Sequence, residues 1–315
     1  MKKLVSADNI RLLIPALSLT VLLVAVFYLQ PRAMSYTGLN LLFNLAVPIA
    51  LATIAQMLVM TVNDLDLSMG TFVSFVACVT ATYLQASPLV GILILAAAIA
   101  TYAALGVLIY LRDLPSIVVT LGMSFVWGGI AVLILPAPAG QAPEWIRAVM
   151  TSRPPLVPMA IVASIAIAVV AHLLIMRSSF GVILRGVGGN ARSVERAGWS
   201  IIGARAAIYA LAGFFAVLAG ITLVGLTTSA DANIALRYTL LSIAGVILGG
   251  GEFVGGKVSP IGAVIGALTL TLAGSFLSFM RISPDWQIGA QGAILIVVLA
   301  LRLALNRLEK REKSQ

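Results

Sequence analysis

Charge is what this chain has least of. Only 10% of its 315 residues are Asp, Glu, Lys or Arg, where a soluble domain carries about a quarter, and that shortage excludes a soluble globular protein of this length. Histidine and cysteine each occur once, as His172 and Cys78. A single cysteine rules out an intrachain disulfide. A lone histidine in an apolar run leaves acyl transfer without a triad, and no histidine or carboxylate cluster of metal-binding type accompanies the few acidic residues. Intramembrane proteolysis needs two aspartates on facing helices, and Asp64 and Asp66 are too close in sequence to supply them. The alternating pattern of a membrane β-barrel is also missing. Acidic residues are scarcer than basic ones, 11 against 20, for a net charge of +9. In a chain this apolar, the excess reads as the positive-inside bias of membrane proteins rather than as a nucleic-acid footprint.

What the chain has in quantity is apolar sequence, 61% of all residues. Several runs reach the roughly 20 residues that cross a bilayer core, and in lipid such runs must satisfy their own backbone as helices. The fold class is therefore an all-α polytopic membrane protein. Ten spans are expected, over approximately 11–30, 41–62, 66–84, 88–111, 115–136, 156–176, 204–226, 238–251, 258–280 and 285–305. The third and eighth are short or glycine-broken. The basic N-terminus before an apolar stretch resembles a signal peptide, but Asp8 and Arg11 intervene and no small-residue cleavage site follows, so it reads as a retained first span.

With ten spans, fifteen of the twenty basic residues fall on one side: Lys2, Lys3 and Arg11, then Arg112, the five arginines of residues 177–205, Lys257 and the C-terminal cluster from Arg302. The positive-inside rule places that side, and both termini, in the cytoplasm. Residues 1–315 then form one transmembrane domain with a cytoplasmic loop at 177–205 and a basic tail at 306–315. Five spans plus five permits an inverted repeat, and broken helices at corresponding places in two halves point to a substrate path. The weak third span opens with NDLDLSMG and the weak eighth ends in LGGGEFVGG.

Three constellations carry polar chemistry. Asn63, Asp64, Asp66 and Ser68 lie between apolar runs with almost no gap, and ionisable groups at membrane depth are functional candidates; Asp66 or Ser68 could instead simply cap the third span, though for Asp66 a buried role, structural and functional together, is favoured. In residues 177–205, five arginines accompany a single acid, Glu195. Asn190 can cap a short helix from Ala191 to Ala197 that Gly198 ends, shaped to dock into a groove of a soluble protein. The alternative is a basic loop resting on anionic lipid headgroups. The third, Gly249 to Lys257, nearly matches a phosphate-binding loop but has Val258 where Ser or Thr would hold magnesium, and it lies between membrane spans. No nucleotide-binding domain is present in the sequence, so any nucleotide that powers this protein binds another subunit. Gly245/Gly249 and Gly262/Gly266 have small-residue spacing suited to close helix packing, within the chain or across a dimer. Trp127, Trp145, Trp199 and Trp286 mostly fall near expected interfaces.

At these residues the chain resembles the membrane permease subunits of bacterial ABC importers for ribose, xylose, galactosides and related sugars, over about residues 10–305. NDLDLSMG at 63–70 resembles the family's GGIDLSVG; residues 114–134 resemble its P-x-F-I-V-T-L-G stretch, with Thr120, Leu121 and Gly122 matching. Residues 186–201 resemble its GGN-x-x-A-A-x-x-S-G-I loop and 247–270 its glycine-rich segment. The resemblance implies a ten-helix fold of the type II importer kind and a transport subunit rather than an enzyme, with no cofactor in this chain. It implies a second permease chain, identical or not, cytosolic ABC ATPases that bind ATP and magnesium, and a periplasmic solute-binding protein. Gly189, Asn190, Arg192, Arg196, Ala197 and Gly198 would then form the ATPase-coupling loop. Asn63, Asp64, Asp66, Ser68, Thr120, Gly249 and Gly250 would flank the translocation pathway of a monosaccharide or similar polar solute. Asn63 and Asp64 stand where the family usually has glycines, Thr239 to Ser242 where it has Glu-Leu-Asp-Ala, and Gly251–Glu252 where it has Thr-Ser. The alternative from the residues is an ion-coupled secondary transporter using Asp64 and Asp66.

Overall fold

A computed structural model describes residues 7–283 apart from residue 254, with five further positions between 286 and 296. The described residues form helices and connecting turns, with a single isolated bridge between Ala139 and Ala230. In order they are α1 (Ala7–Leu29), α2 (Tyr36–Phe43), α3 (Ala46–Met60), α4 (Met69–Val79), α5 (Pro88–Leu111), α6 (Ser116–Ile134), α7 (Glu144–Met150), α8 (Met159–His172), α9 (Ser179–Arg196), α10 (Ile201–Thr227), α11 (Tyr238–Leu248) and α12 (Pro260–Phe279). A π-helical turn extends α4 to Leu84, and another extends α8 to Arg177.

Among the described residues, six helical stretches are long and apolar enough to cross a membrane: Tyr36–Met60, Pro88–Leu111, Ser116–Ile134, Met159–Arg177, Ile201–Thr227 and Pro260–Phe279. Pro15–Leu29, Met69–Leu84 and Tyr238–Leu248 are apolar but shorter. Nine of the ten expected spans thus have a helical counterpart, while the expected span at 285–305 and the tail at 306–315 fall outside the fully described residues. The two weak spans are short for a physical reason. Met69–Leu84 is about 24 Å long at 1.5 Å per residue, less than the roughly 30 Å hydrocarbon core. Tyr238–Leu248 is shorter still. Each abuts a polar or glycine-rich break, 61–68 before α4 and 249–259 after α11.

Helix α3 is the centre of the molecule: all fifteen of its residues are buried, as expected of a helix apolar on every side. Around it lie α8, α10, α11 and α12, while α10 also covers α4 and α5, and α1 packs on α12. Polar residues survive in this core by bonding along their own helix. Thr53 donates to the Ile49 carbonyl at 2.7 Å and Thr80 to that of Val76 at 2.7 Å, the back-bonding that hides a hydroxyl in an apolar setting. Helices α6 and α8 lie at the periphery with most of their apolar surface outward.

The glycine spacing in α11 and α12 works within the chain. A Cβ on Gly262 would overlap the Gly249 carbonyl, and one on Gly266 would overlap that of Gly245. The two helices therefore touch backbone to backbone at two successive levels, which only residues without a side chain allow. Trp127 departs from expectation. It is 4% exposed and packs on Phe72 and Phe75, with ring centroids 5.0 Å from each, so it belongs to the core rather than to an interfacial belt.

Candidate functional site

The break between α3 and α4 is the most heavily cross-linked polar segment described. The backbone leaves α3 through Asn63, whose φ of 65° lies in the left-handed region that asparagine tolerates better than most residues. Asp66 is fully buried. Its Oδ1 accepts from the Ser68 N–H and the Ser68 hydroxyl, both at 2.7 Å, and its Oδ2 accepts from the Tyr102 hydroxyl at 2.7 Å. Gln56, a lone amide in an apolar helix, faces the Asp66 backbone, and the amide orientation that satisfies both partners donates to the Asp66 carbonyl at 3.1 Å and accepts from its N–H at 3.2 Å. The Phe72 ring sits 4.4 Å from that of Tyr102, so water is kept from the carboxylate. A buried carboxylate holds its place only when its lone pairs are met in this way.

Ser116 and Thr120, one turn apart on α6, grip the backbone of the same break. The Ser116 hydroxyl accepts from the Leu65 N–H at 3.1 Å, and Thr120 accepts from the Leu67 N–H at 3.0 Å. Asp64 turns the other way. Its Oδ2 accepts from Arg205 Nη1 at 2.9 Å and from the Tyr209 hydroxyl at 2.8 Å, with the Arg205 guanidinium 5.3 Å over the Tyr110 ring. Arg205 is therefore a paired residue in the first turns of α10, not a free charge of the basic loop as its place in the sequence suggests. The bidding of both aspartates for donors is met within the fold.

The segment 177–205 is ordered in two parts. Helix α9 breaks at Asn190, with φ −158° and ψ 88°. After the break Asn190 Oδ1 accepts from the Ser193 N–H at 3.2 Å, the expected cap of a second short helix. Gly198 follows with φ 86°, the left-handed turn that ends a helix. Nothing lies within 4 Å of a Cβ built on it, so Gly198 is needed for its backbone angle and not for space. Arg192, Arg196, Ala197 and Trp199 are exposed. The first half of α9 is anchored instead: Gly188 presses on the Thr61 carbonyl, and Gly256 on the Arg185 carbonyl.

Asn63, Asp64, Asp66, Ser68 and Thr120 all lie at the break between α3 and α4, but Asp66 and Ser68 face Tyr102, Asp64 faces Arg205 and Tyr209, and Asn63 faces Gly188 and Gly255. Gly249 and Gly250 stand apart at the end of α11, where Gly249 meets Gly262 and Gly250 turns the chain at φ 95°. The starts of the two short helices also meet, with the Gly70 N–H donating to Thr239 Oγ1 at 2.8 Å and the Ala235 N–H to Ser74 Oγ at 3.0 Å. Lys257 pairs with Glu252 at 3.2 Å in a loop between helices, so the phosphate-loop likeness has no strand-to-helix setting. Sequence reasoning missed Gln56, Tyr102, Ser116, Arg205 and Tyr209 as partners. Gln56 was findable, being an amide inside an unbroken apolar helix.

The sequence profile of a protein family described as branched-chain amino acid transport system / permease component matches residues 38–299. Among curated proteins, the probable ABC transporter permease protein y4mJ of Sinorhizobium fredii is 28% identical over 314 residues, covering 96% of this chain and 92% of its own length. The autoinducer 2 import system permease protein LsrC of Escherichia coli is 27% identical over 320 residues, covering 97% and 92%. The probable ABC transporter permease protein YphD of Escherichia coli is 28% identical over 303 residues, covering 92% and 90%. No solved structure matches significantly.

Proposed function

The chain belongs to the permease family described as branched-chain amino acid transport system / permease component, and from that premise we propose that it is the transmembrane subunit of an ATP-driven importer for a monosaccharide or a similar small polar solute. As a member of that family it is a multi-pass membrane transport subunit and not an enzyme. Relatives named for autoinducer 2 import widen the cargo beyond ordinary sugars to related small polar solutes. The importer contains two permease chains of about ten spans each, with both termini in the cytoplasm. Separate cytosolic ATPases dock beneath them and a periplasmic protein delivers the solute.

The single observation that carries this reading is the division of α9 at Asn190. One half is bound to the membrane body, and the other presents Arg192, Arg196, Ala197 and Gly198 outward. A lipid-bound loop would need the arginines but not the cap and the left-handed stop. Nucleotide-dependent rearrangement of an ATPase gripping the outer half can drive alternating access, provided that the ATPase binds the two states of the permease differently. Asp66, Ser68 and Thr120 are 0, 1 and 2% exposed, so in this state they hold the break between α3 and α4 in place while solute passes elsewhere. Ion-coupled transport through Asp64 and Asp66 is not favoured: it asks for carboxylates free to exchange a proton, and these are engaged by Arg205, Tyr209, Ser68 and Tyr102.

Uptake decides between the two. In liposomes holding the purified complex, with ATP inside and the delivery protein outside, one of a panel of radiolabelled monosaccharides accumulates. Accumulation is stopped by vanadate and indifferent to a protonophore; the reverse sensitivities would point to ion coupling. Orientation is checked separately. Cys78 is fully buried, so a membrane-impermeant maleimide leaves the native chain unlabelled in whole cells. A cysteine replacing exposed Trp145 is labelled from outside, and one replacing Arg192 only after the membrane is opened. Labelling of the Arg192 position in intact cells would invert the topology.

A further inference from the structure

We propose that Asn63 is a coupling residue: its side-chain amide joins the α9 segment to both breaks in the membrane body, so that displacement of α9 is passed to them together. The inference rests on the ATP-driven reading above and says by which contact the drive enters.

Asn63 Nδ2 donates to the Gly188 carbonyl of α9 at 2.9 Å. Its Oδ1 accepts from the Gly255 N–H of the loop between α11 and α12 at 2.9 Å. One amide thus bridges two backbones that are 125 and 192 residues away in sequence. The three segments it joins are already in backbone contact. A Cβ on Gly188 would strike the Thr61 carbonyl and lie 3.1 Å from Gly256 Cα, and one on Gly256 would lie 3.3 Å from Gly189 N. Packing this close leaves no slack, so one segment cannot slide without moving the others.

The chain on either side of Asn63 completes the path. Asp64, the next residue, is held by Arg205 and Tyr209 of α10, and Asp66 two residues later is locked to α5 through Tyr102. A pull on the outer half of α9 therefore reaches Gly188 through the Asn190 kink. From there it passes to the α3–α4 break, to α10 and to the start of α12. The side chain has no part in keeping the backbone angle, because a left-handed φ suits glycine better than asparagine. It is the two hydrogen bonds that glycine would lose.

That makes Asn63→Gly a clean test, since it keeps the turn and removes only the bridge. The complex is purified with its ATPase from the native host, with a reporter cysteine in place of half-buried Leu67 and buried Cys78 left as it is. The rate of labelling by a permeant maleimide is compared before and after trapping with ATP, magnesium and vanadate. With Asn63 present, trapping changes the rate. In Asn63→Gly the change shrinks by about tenfold, on the scale of two ordinary hydrogen bonds, while the yield of assembled complex is unaltered. Asn63→Asp keeps the acceptor for the Gly255 N–H but loses the donor to Gly188, and falls between. An undiminished response in Asn63→Gly overturns the proposal, as does failure of the complex to assemble, which would make the bridge a structural tie only. Absence of any ATPase or trapping response with Asn63 in place would instead strike the importer reading on which it rests.

Discussion

Asp66→Ala lowers the stability of the chain in detergent by about 3 kcal/mol, the cost of losing buried hydrogen bonds to a charged acceptor and leaving a donor unpaired. The donors left behind set the size. The Ser68 hydroxyl and the Tyr102 hydroxyl are 3.2 Å apart and can bond each other, but the Ser68 N–H has no second acceptor and remains unsatisfied, at about 1–3 kcal/mol. Asp66→Asn is milder, about 1–2 kcal/mol. It keeps an oxygen for Ser68 and presents an N–H toward the Tyr102 oxygen, which must then give its proton to Ser68. Tyr102→Phe removes one donor of three and loses about 1 kcal/mol. The order Ala, then Asn, then Phe in the drop of unfolding midpoint is the signature of a satisfied buried carboxylate; equal midpoints would reduce Asp66 to a replaceable turn residue. In transport, Asp66→Asn is more harmful than Arg147→Gln, whose residue lies in α7 away from the cluster. Equal and mild effects would leave Asp66 with the role of starting α4 and nothing more.

The second large effect belongs to the α11–α12 contact. Gly262→Ala puts a methyl group onto the Gly249 carbonyl, where backbone and not a movable side chain is in the way. Overpacking of this kind costs about 1–3 kcal/mol and sometimes more. Gly266→Ala repeats the insult one turn on, at the Gly245 carbonyl. The double variant forces the helices apart along the whole contact and fails to accumulate as folded protein. Gly122→Ala and Gly129→Ala are the controls. Nothing lies within 4 Å of a Cβ at either position, and alanine is a better helix former than glycine by about 0.5–1 kcal/mol. Those two changes leave the midpoint of the isolated chain level or raise it. Identical behaviour of all four alanines would mean that α11 and α12 are not packed through glycine.

The contrast between these sites shows what a sequence carries and what it does not. Apolar length is a local property, which is why the runs at 88–111, 204–226 and 258–280 coincide with α5, α10 and α12 to within a few residues. Cap chemistry is local too: Asn190 and Gly198 act as their residue types suggest. Pairing across the fold is not local. Arg205 counts as one more loop arginine until Asp64, 141 residues away, is seen to hold it. The spacing of Gly245, Gly249, Gly262 and Gly266 announces close approach without naming the partner, since glycine pairs serve contacts inside a chain and between chains alike. Trp127 misleads because indoles favour the membrane interface on average, whereas this one closes a cluster with Phe72, Phe75 and Tyr102. Asn63 was legible as a polar residue between two apolar runs, but the structure exposes it, and its two bonds go to backbone groups that carry no side-chain signal, Gly188 and Gly255.

In the proposed importer this permease is moved by an ATPase held at the outer half of α9. The most direct measurement is affinity capture of the chain from membranes of its native host in mild detergent, with the co-purifying proteins identified by mass spectrometry. The expected result is recovery of a cytosolic ABC ATPase, lost when Ala197 and Gly198 are replaced together by Trp and retained when Arg147 is replaced by Gln. Repeated recovery of the chain alone, under conditions that preserve other membrane complexes of that host, would contradict it.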